Sequence, residues 1–491
     1  MRTSIRFLFG DELREIGEVD PTLTVLDWLR LQERRTGTKE GCAEGDCGAC
    51  TVVVGRLDGD RVRYEAVNAC IRFLPTLDGC QILTVEHLKD AAGRLHPTQQ
   101  AMVDCHGSQC GFCTPGFVMS LFALYHGAAN PNGQAIDDAL AGNLCRCTGY
   151  APIVKAAEAL CEGHGGAPAD RFAAEEAAIA AKLKALQDQE MVSVGSGGRV
   201  FHAPATAGQM AQVLLDNPDA TIVSGATDVG LWVTKFQRVL GTVVYTGRVA
   251  ELRGIRETEA GLEIGAAVTY TEAAPAIAAL YPDFGELIRR IGATQVRNMG
   301  TIGGNVANGS PIGDTPPALI AAGATLVLRR GDERRSMPVE DFYIEYGKQD
   351  RRPGEFVESI LLPRPAAGAR FRAYKISKRF DQDISALCGA FLLTVEQGTV
   401  TAARLAYGGM AGIPKRAAAA EAALLGQPWT EATVRRAMAA LSQDFTPLSD
   451  MRASAEYRAR VAANLLMKLY VETTDPAAET RLVGDRSLAH A

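Results

Sequence analysis

No apolar run in these 491 residues approaches the ~18 residues that a membrane-spanning helix needs. Asp11 and Glu12 interrupt the short apolar opening before an export signal could form. Basic charge is not in surplus either. The formal net charge of -6 gives no electrostatic reason to bind a nucleic-acid backbone. These absences predict a cytoplasmic chain with no membrane and no nucleic-acid partner. The disorder signature is missing too, because apolar residues make up 47% and charged residues 22%. There is no internal repeat of solenoid type, and no G-x-G-x-x-G follows a strand pattern, which leaves a Rossmann dinucleotide fold unsupported. The seven histidines are scattered without a ligand-like neighbour at useful spacing, and His106 reads as a surface residue. Cysteine is almost absent after residue 161, where only Cys388 remains of the twelve. A cytosolic chain does not hold its thiols as disulfides by default, so the cysteines crowded into the first third point to metal ligation.

At this length two to four domains are expected. Ile5 to Phe9 and Leu13 to Ile16, around Gly10-Asp11, read as a hairpin. Thr24 to Arg35 reads as an amphipathic helix. From Pro97 the texture is helical, with Thr98 to Val103 and Phe117 to Tyr125 as segments and Pro115-Gly116 at a helix start. Glu162 to Asp170 is a Gly/Pro/Ala-rich break followed by an Ala/Glu-rich stretch of helical composition. Short strands at Thr221 to Val223, Val243 to Thr246, Leu262 to Gly265 and Thr325 to Leu328 then alternate with helices. A last region pairs strands such as Ala390 to Val395 with helices such as Tyr457 to Leu469.

Cys42, Cys47, Cys50 and Cys70 stand as C-x4-C-x2-C-x19-C, the plant-type ferredoxin spacing for a [2Fe-2S] cluster. Glycines interleave these thiolates in GCAEGDCGAC, letting the backbone take positive φ and aim N-H groups at the cluster. A structural zinc site would more often show two C-x2-C pairs. Cys110, Cys113, Cys145 and Cys147 form a second set, C-x2-C-x31-C-x-C, whose C-x-C pair requires a loop or helix start. Taken alone, that set fits either iron-sulfur or zinc.

The segments EGCAEGDCGACTV, QCGFCTPG and GNLCRCTGY, in this order, resemble the motifs of the molybdenum hydroxylase family. The resemblance implies a multidomain α+β chain with the first cluster in a ferredoxin-like β-grasp domain (1-86) and the second in a four-helix domain (87-161). A linker (162-192), a vanillyl-alcohol-oxidase-like FAD domain (193-366) and a C-terminal domain like that of CO dehydrogenase flavoproteins (367-475) follow. Cys80, Cys105, Cys161 and Cys388 have no counterpart in those motifs and read as buried small hydrophobes.

For a nucleotide, two glycine-bearing segments offer closely spaced backbone N-H donors: Ile222-Val223-Ser224-Gly225-Ala226-Thr227-Asp228-Val229, and Thr301-Ile302-Gly303-Gly304-Asn305 after Gly300. On composition alone both could be ordinary turns. The resemblance to the FAD domains of the xanthine dehydrogenase branch implies that the first wraps the FAD pyrophosphate and the second lies along the flavin. It also points to Asp314, Val357 and Lys375 as FAD contacts, with Ile291 and Asn308 as departures where animal members carry an aromatic residue and a threonine. From sequence alone Asp314 is equally a surface Asx-turn residue, and Lys375 a solvated lysine.

The implied activity is electron transfer in purine oxidation, hypoxanthine to xanthine to urate, with electrons running through two [2Fe-2S] clusters to FAD and then NAD⁺. No catalytic residue is identified in this chain. The resemblance implies that the molybdopterin and the purine-hydroxylating groups lie on a large partner subunit, in an assembly of two copies of each subunit. Iron-sulfur and flavin parts of CO, nicotinate, aldehyde or aromatic-CoA enzymes form one alternative. A free-standing electron-transfer flavoprotein is the other.

Overall fold

The computed structural model describes residues 1-127, 131-162, 168-481, 483-484 and 486-489. The chain divides into two compact units, Met1–Ala250 with Gly292–Gly300, and Glu251–Ile291 with Thr301–Ala491. Among the described residues no helix is long and apolar enough to cross a membrane.

The first unit opens with the expected hairpin, β1 (Ile5–Phe9) and β2 (Glu12–Ile16), paired antiparallel from Ile5↔Ile16 to Phe9↔Glu12. With β3 (Thr51–Asp58), β4 (Arg61–Asn68) and β5 (Gln81–Leu83) it makes a five-stranded sheet in the order β2-β1-β5-β3-β4. The helix expected over Thr24 to Arg35 is shorter and partly wider. One α turn, α1 (Val25–Asp27), is capped by the Thr24 hydroxyl, which accepts the Asp27 N-H at 3.0 Å, and it opens into a π turn over Trp28–Gln32. The widened turn accommodates the indole of Trp28, buried edge-on to Phe7 and Phe9 at 5.4 and 5.1 Å.

The helical region comprises α2 (Pro97–Asp104), α3 (Thr114–Gly127), α4 (Gly133–Leu140) and α5 (Ala151–Glu162). Pro115 sits in the first turn of α3, where its missing N-H costs no hydrogen bond. The Ala/Glu-rich stretch is α6 (Arg171–Leu186), which buries Phe172, Ile179, Leu183 and Leu186; residues 163-167 of the break before it lie outside the described residues. A four-stranded sheet follows, β6 (Val192–Ser196), β7 (Arg199–Ala203), β8 (Thr221–Val223) and β9 (Thr242–Tyr245) in the order β6-β7-β9-β8, with β7 and β8 both parallel to β9. Its helices are α7 (Ala207–Asp216) and α8 (Val229–Thr234).

The second unit holds an antiparallel sheet of β10 (Ile255–Thr258), β11 (Gly261–Gly265), β16 (Phe356–Pro363), β12 (Thr325–Arg330) and β13 (Glu333–Pro338), in that order, and a short antiparallel pair, β14 (Tyr343–Glu345) and β15 (Lys348–Gln349). Helices α9 (Tyr270–Leu280), α10 (Pro282–Arg289), α12 (Ile302–Asn308) and α13 (Thr315–Ala322) add Ile277, Phe284, Ile302 and Leu319 to the same buried core. A second antiparallel sheet, β17 (Ala369–Ile376), β18 (Leu387–Glu396), β19 (Thr399–Gly408) and β20 (Lys415–Arg416), carries α14 (Ala418–Leu424), α15 (Glu431–Asp444) and α16 (Ala455–Thr474).

His87 gives the first unit a pH dependence. Its ring lies against Phe9 at 4.6 Å, and its Nδ1 accepts the Thr84 N-H at 3.0 Å. Burial, aided by Arg35, lowers its pKa from 6.5 to about 4. A base with a depressed folded pKa favours the folded state above its unfolded value, and that stability is lost as pH falls toward the folded value. Unfolding free energy is therefore expected to drop by on the order of 2–3 kcal/mol between about pH 6.5 and pH 4 from this group. Denaturant unfolding at several pH values should show the drop, and His87→Gln should flatten it.

Candidate redox centre and nucleotide cradle

The loop joining α1 to β3 brings three cysteines of the first set together, and Cys70 arrives from the end of β4. The Cys50 and Cys70 sulfurs lie 3.3 Å apart, both buried, and no disulfide joins any of the twelve cysteines. The Cys42 sulfur accepts the backbone N-H groups of Glu44, Asp46 and Cys47 at 3.5, 3.4 and 3.3 Å. Gly48 has φ +69, and a Cβ there would lie 2.1 Å from the Gly142 carbonyl oxygen. Only glycine permits both that conformation and that approach. Hydrogen bonds from the Cys47 and Cys70 thiols hold Cys42 far below the ordinary thiol range, while its bond with Cys42 pushes Cys47 far above. Backbone N-H groups aimed at a sulfur favour its anionic form, the form that ligates a cation.

In the second set the Cys110 and Cys147 sulfurs lie 3.5 Å apart and both residues are exposed. Cys113 and Cys145 are half-buried, and burial, with Cys145 alongside, pushes Cys113 up to about 12. The C-x-C pair lies in irregular chain just before α5, as its spacing required. The two cysteine loops meet directly: the Leu144 N-H, next to Cys145, donates to the Cys47 carbonyl at 2.9 Å. Of the four remaining cysteines, Cys80 and Cys388 are buried as expected. Cys105 and Cys161 are only partly buried, packing at the margin of the helical core.

The first glycine segment links β8 to α8. Among the described residues no acceptor in the chain meets the backbone N-H groups of Ser224, Gly225, Ala226 and Thr227. Ala226 has φ +58, a left-handed turn of the kind found in backbone nests that bind phosphate. A Cβ on Gly225 would lie 1.9 Å from the Met299 carbonyl oxygen, which fixes the loop on the Gly292–Gly300 segment. Ile222 and Val223 end the strand below it, while Asp228 is exposed and Val229 starts α8. That helix rests against the first cysteine set. A Cβ on Gly230 would meet the Ile71 carbonyl oxygen at 2.7 Å, and the Thr234 hydroxyl donates to the Ala43 carbonyl at 2.7 Å.

The second glycine segment does not offer the free donors expected of it. The Ile302, Gly303 and Gly304 N-H groups donate to Val268 O, Ala266 O and the Thr301 hydroxyl at 3.0, 3.2 and 3.0 Å. Gly303 is there for packing, since a Cβ would lie 2.5 Å from Ala266 Cα. The Asn305 side chain accepts from the Thr315 hydroxyl, Val357 is buried in β16, Ile291 is partly buried against the core, and Asn308 is exposed. Asp314 and Lys375 are neither a surface turn nor solvated. Lys375 Nζ donates to Asp314 Oδ2 at 2.6 Å and to Ser385 Oγ at 2.8 Å, and both partners of the ion pair are buried.

Two groupings were illegible from spacing. His96, His126 and Asp170 converge across 74 residues, with Nε2 to Oδ2 distances of 2.5 and 2.8 Å. The Thr98 N-H donates to His96 Nδ1, so in the neutral ring the proton is on Nε2 and points at Asp170. That arrangement is a hydrogen-bonded clasp that holds the start of α6, with no free lone pair on His96 Nε2 for a metal. The other grouping is Gln295 with Thr51, Ser120 and Asn143.

Four family models match, in register with these features: a 2Fe-2S iron-sulfur cluster binding domain (residues 11-74) and a [2Fe-2S] binding domain (84-158). An FAD binding domain in molybdopterin dehydrogenase (194-365) and a CO dehydrogenase flavoprotein C-terminal domain (372-473) follow. The xanthine dehydrogenase of Emericella nidulans is 32% identical over 95% of this chain and 38% of its own. Aldehyde oxidase 1 of Bos taurus is 28% identical over 100% of this chain and 41% of its own. The chain thus spans about two fifths of the length of these relatives. Among solved structures, a carbon monoxide dehydrogenase chain from Hydrogenophaga pseudoflava matches with TM-score 0.52 and 30% identity, over 54% of this chain and 93% of that one. A quinoline 2-oxidoreductase chain from Pseudomonas putida matches with TM-score 0.51 and 27% identity, over 56% and 96%. The chain belongs to the molybdenum hydroxylase family of oxidoreductases. Within it, the chain is an iron-sulfur and FAD-binding member, with two [2Fe-2S]-binding domains ahead of its flavoprotein domains.

Proposed function

We propose that this chain is the electron-transfer subunit of a xanthine dehydrogenase. It takes electrons from a molybdopterin-bearing partner, passes them through two [2Fe-2S] clusters to FAD, and delivers them in pairs to NAD⁺. The observation that carries the reading is continuity within one compact unit. The second cysteine set touches the first through Leu144 and Cys47, and the first touches the helix that leaves the Ser224–Thr227 donor array. When bound, the clusters carry single electrons and the flavin converts them to pairs, chemistry that side chains cannot supply.

The chain's own residues hold, insulate and orient. Cys42, Cys47, Cys50 and Cys70 are the proposed ligands of one cluster, and Cys110, Cys113, Cys145 and Cys147 of the other. The Ser224–Thr227 N-H groups are proposed to bind the FAD pyrophosphate. Ile291, Thr301 to Asn305, Asn308, Asp314, Val357 and Lys375 are proposed as flavin-side positions on the family resemblance.

Similarity to xanthine dehydrogenases over 95% of the chain supports the purine assignment. On the family resemblance, the proposal includes a large molybdopterin-binding partner subunit, two copies of each subunit and a cytoplasmic location. A CO-, nicotinate-, aldehyde- or aromatic-CoA-type assembly is the second reading, favoured by the likeness to carbon monoxide dehydrogenase and quinoline oxidoreductase chains. Affinity purification of the tagged chain from its native cell tests both. A co-purifying molybdenum protein that reduces NAD⁺ with xanthine is the expected result; turnover of another of these substrates but not xanthine would support the second reading. The purified chain alone is expected to oxidise NADH with an artificial dye and not to hydroxylate xanthine.

The donor array can be tested separately. Valine at position 225 drives its Cβ into the Met299 carbonyl and displaces the loop. Gly225→Val is therefore expected to weaken FAD binding by about tenfold or more, equivalent to about 1.4 kcal/mol. Flavin absorbance per purified chain, compared with iron content, reads the loss.

A further inference from the structure

Gln295 lies in the Gly292–Gly300 segment and is fully buried within the first unit. Its Nε2 donates to Asn143 Oδ1 at 3.0 Å and Ser120 Oγ at 3.1 Å, and approaches Thr51 Oγ1 at 3.4 Å. Ser120 donates to the same Asn143 oxygen at 2.6 Å. With its oxygen held by these two donors, the Asn143 amide must turn its Nδ2 the other way, where it donates to Gly48 O at 3.1 Å and Thr51 Oγ1 at 3.2 Å. Gly48 and Thr51 flank Cys50, and Asn143 precedes Leu144-Cys145. The side chain of Gln295 therefore sets which way Asn143 faces, and Asn143 pins one cysteine loop to the other beside the Leu144 N-H to Cys47 O bond.

We propose that Gln295 is a positioning residue for electron transfer between the two clusters: it fixes the hydrogen-bonded contact Leu144 N-H to Cys47 O through which the two cysteine loops couple. This rests on the two-cluster reading above. The step concerned is the movement of one electron, with one cluster site oxidised as the other is reduced and no bond made or broken. A second feature separates this role from simple packing. Gln295 Oε1 is buried and, among the described residues, has no hydrogen-bond partner. An unmet buried acceptor is unfavourable for stability, so a residue kept only to fill space would be better as an apolar side chain of similar length.

Gln295→Met supplies that side chain in the full chain, reconstituted with iron and flavin. The expected result has four parts: parental iron and flavin content, a melting temperature equal to or above the parent's, each cluster's own EPR line shape retained, and a reduced magnetic splitting between the two clusters when both are reduced. Electron equilibration between the clusters after rapid partial reduction is expected to slow about tenfold or more. Unchanged splitting and rate in a fully loaded Gln295→Met protein would overturn the proposal and leave the two-cluster reading standing. A parent chain without two [2Fe-2S] signals would overturn both. Should the methionine variant fail to load iron, Gln295→Leu, which also removes the Gln295 donor to Asn143 Oδ1 and leaves Ser120 in place, decides the matter: a reduced splitting supports the proposal, and the parental splitting overturns it.

Discussion

Cys50→Ala protein is expected to carry about two iron atoms per chain instead of about four and to lose one of two EPR signals, while Cys147→Ala loses the other signal and keeps the first. The physical basis is the convergence of sulfurs within each set and the segregation of the sets. Cys50 is buried 3.3 Å from Cys70, whereas Cys147 is exposed 3.5 Å from Cys110. A thiolate removed from a four-ligand site leaves an open coordination position and an unbalanced charge. The two losses should differ in kind. Cys50 is part of the core beneath the first sheet, so its variant is expected to unfold at lower denaturant concentration as well. Cys147 has no such packing, and its variant should keep the parental midpoint. Iron analysis, EPR and urea unfolding on the three proteins check all of this, and equal iron in all three would refute the ligand assignment.

Lys375→Met is expected to destabilise the second unit by about 3–5 kcal/mol, because removing one member of a buried ion pair strands the other charge. Asp314 would then keep the Ser385 hydroxyl at 2.5 Å, the Cys388 thiol and the neighbouring charge of Arg290 in a buried site. The double variant Lys375→Met/Asp314→Asn should recover most of that loss, since the stranded charge is gone. Denaturant unfolding of the parent, both singles and the double measures the coupling. Additive losses would mean that the pair is not the source of the effect.

The two sets of four cysteines were legible as sets because each is marked by local spacing. The same holds for the opening hairpin and for Pro115 at the start of α3, each fixed by neighbours in sequence. The donor array at Ser224–Thr227 was half legible: its glycine marked a close approach, but only the fold shows that Met299 is what approaches and that no acceptor among the described residues takes the Ser224–Thr227 N-H groups. At Thr301–Asn305 the expected free donors are absent for the same reason, because composition cannot say whether an N-H is already taken by Val268 or Ala266. Asp314 with Lys375, His96 with His126 and Asp170, and Gln295 with Asn143 are pairings across 44 to 152 residues. No periodicity signals such contacts. The π turn at Trp28 was hidden because the apolar pattern of Thr24 to Arg35 is the same for either helix type.

Iron and zinc analysis with EPR on the anaerobically reconstituted, reduced chain tests the central claim most directly. The account predicts about four iron atoms, little zinc and two distinct [2Fe-2S] signals per chain. A colourless protein with zinc in either cysteine set and no EPR signal would contradict it.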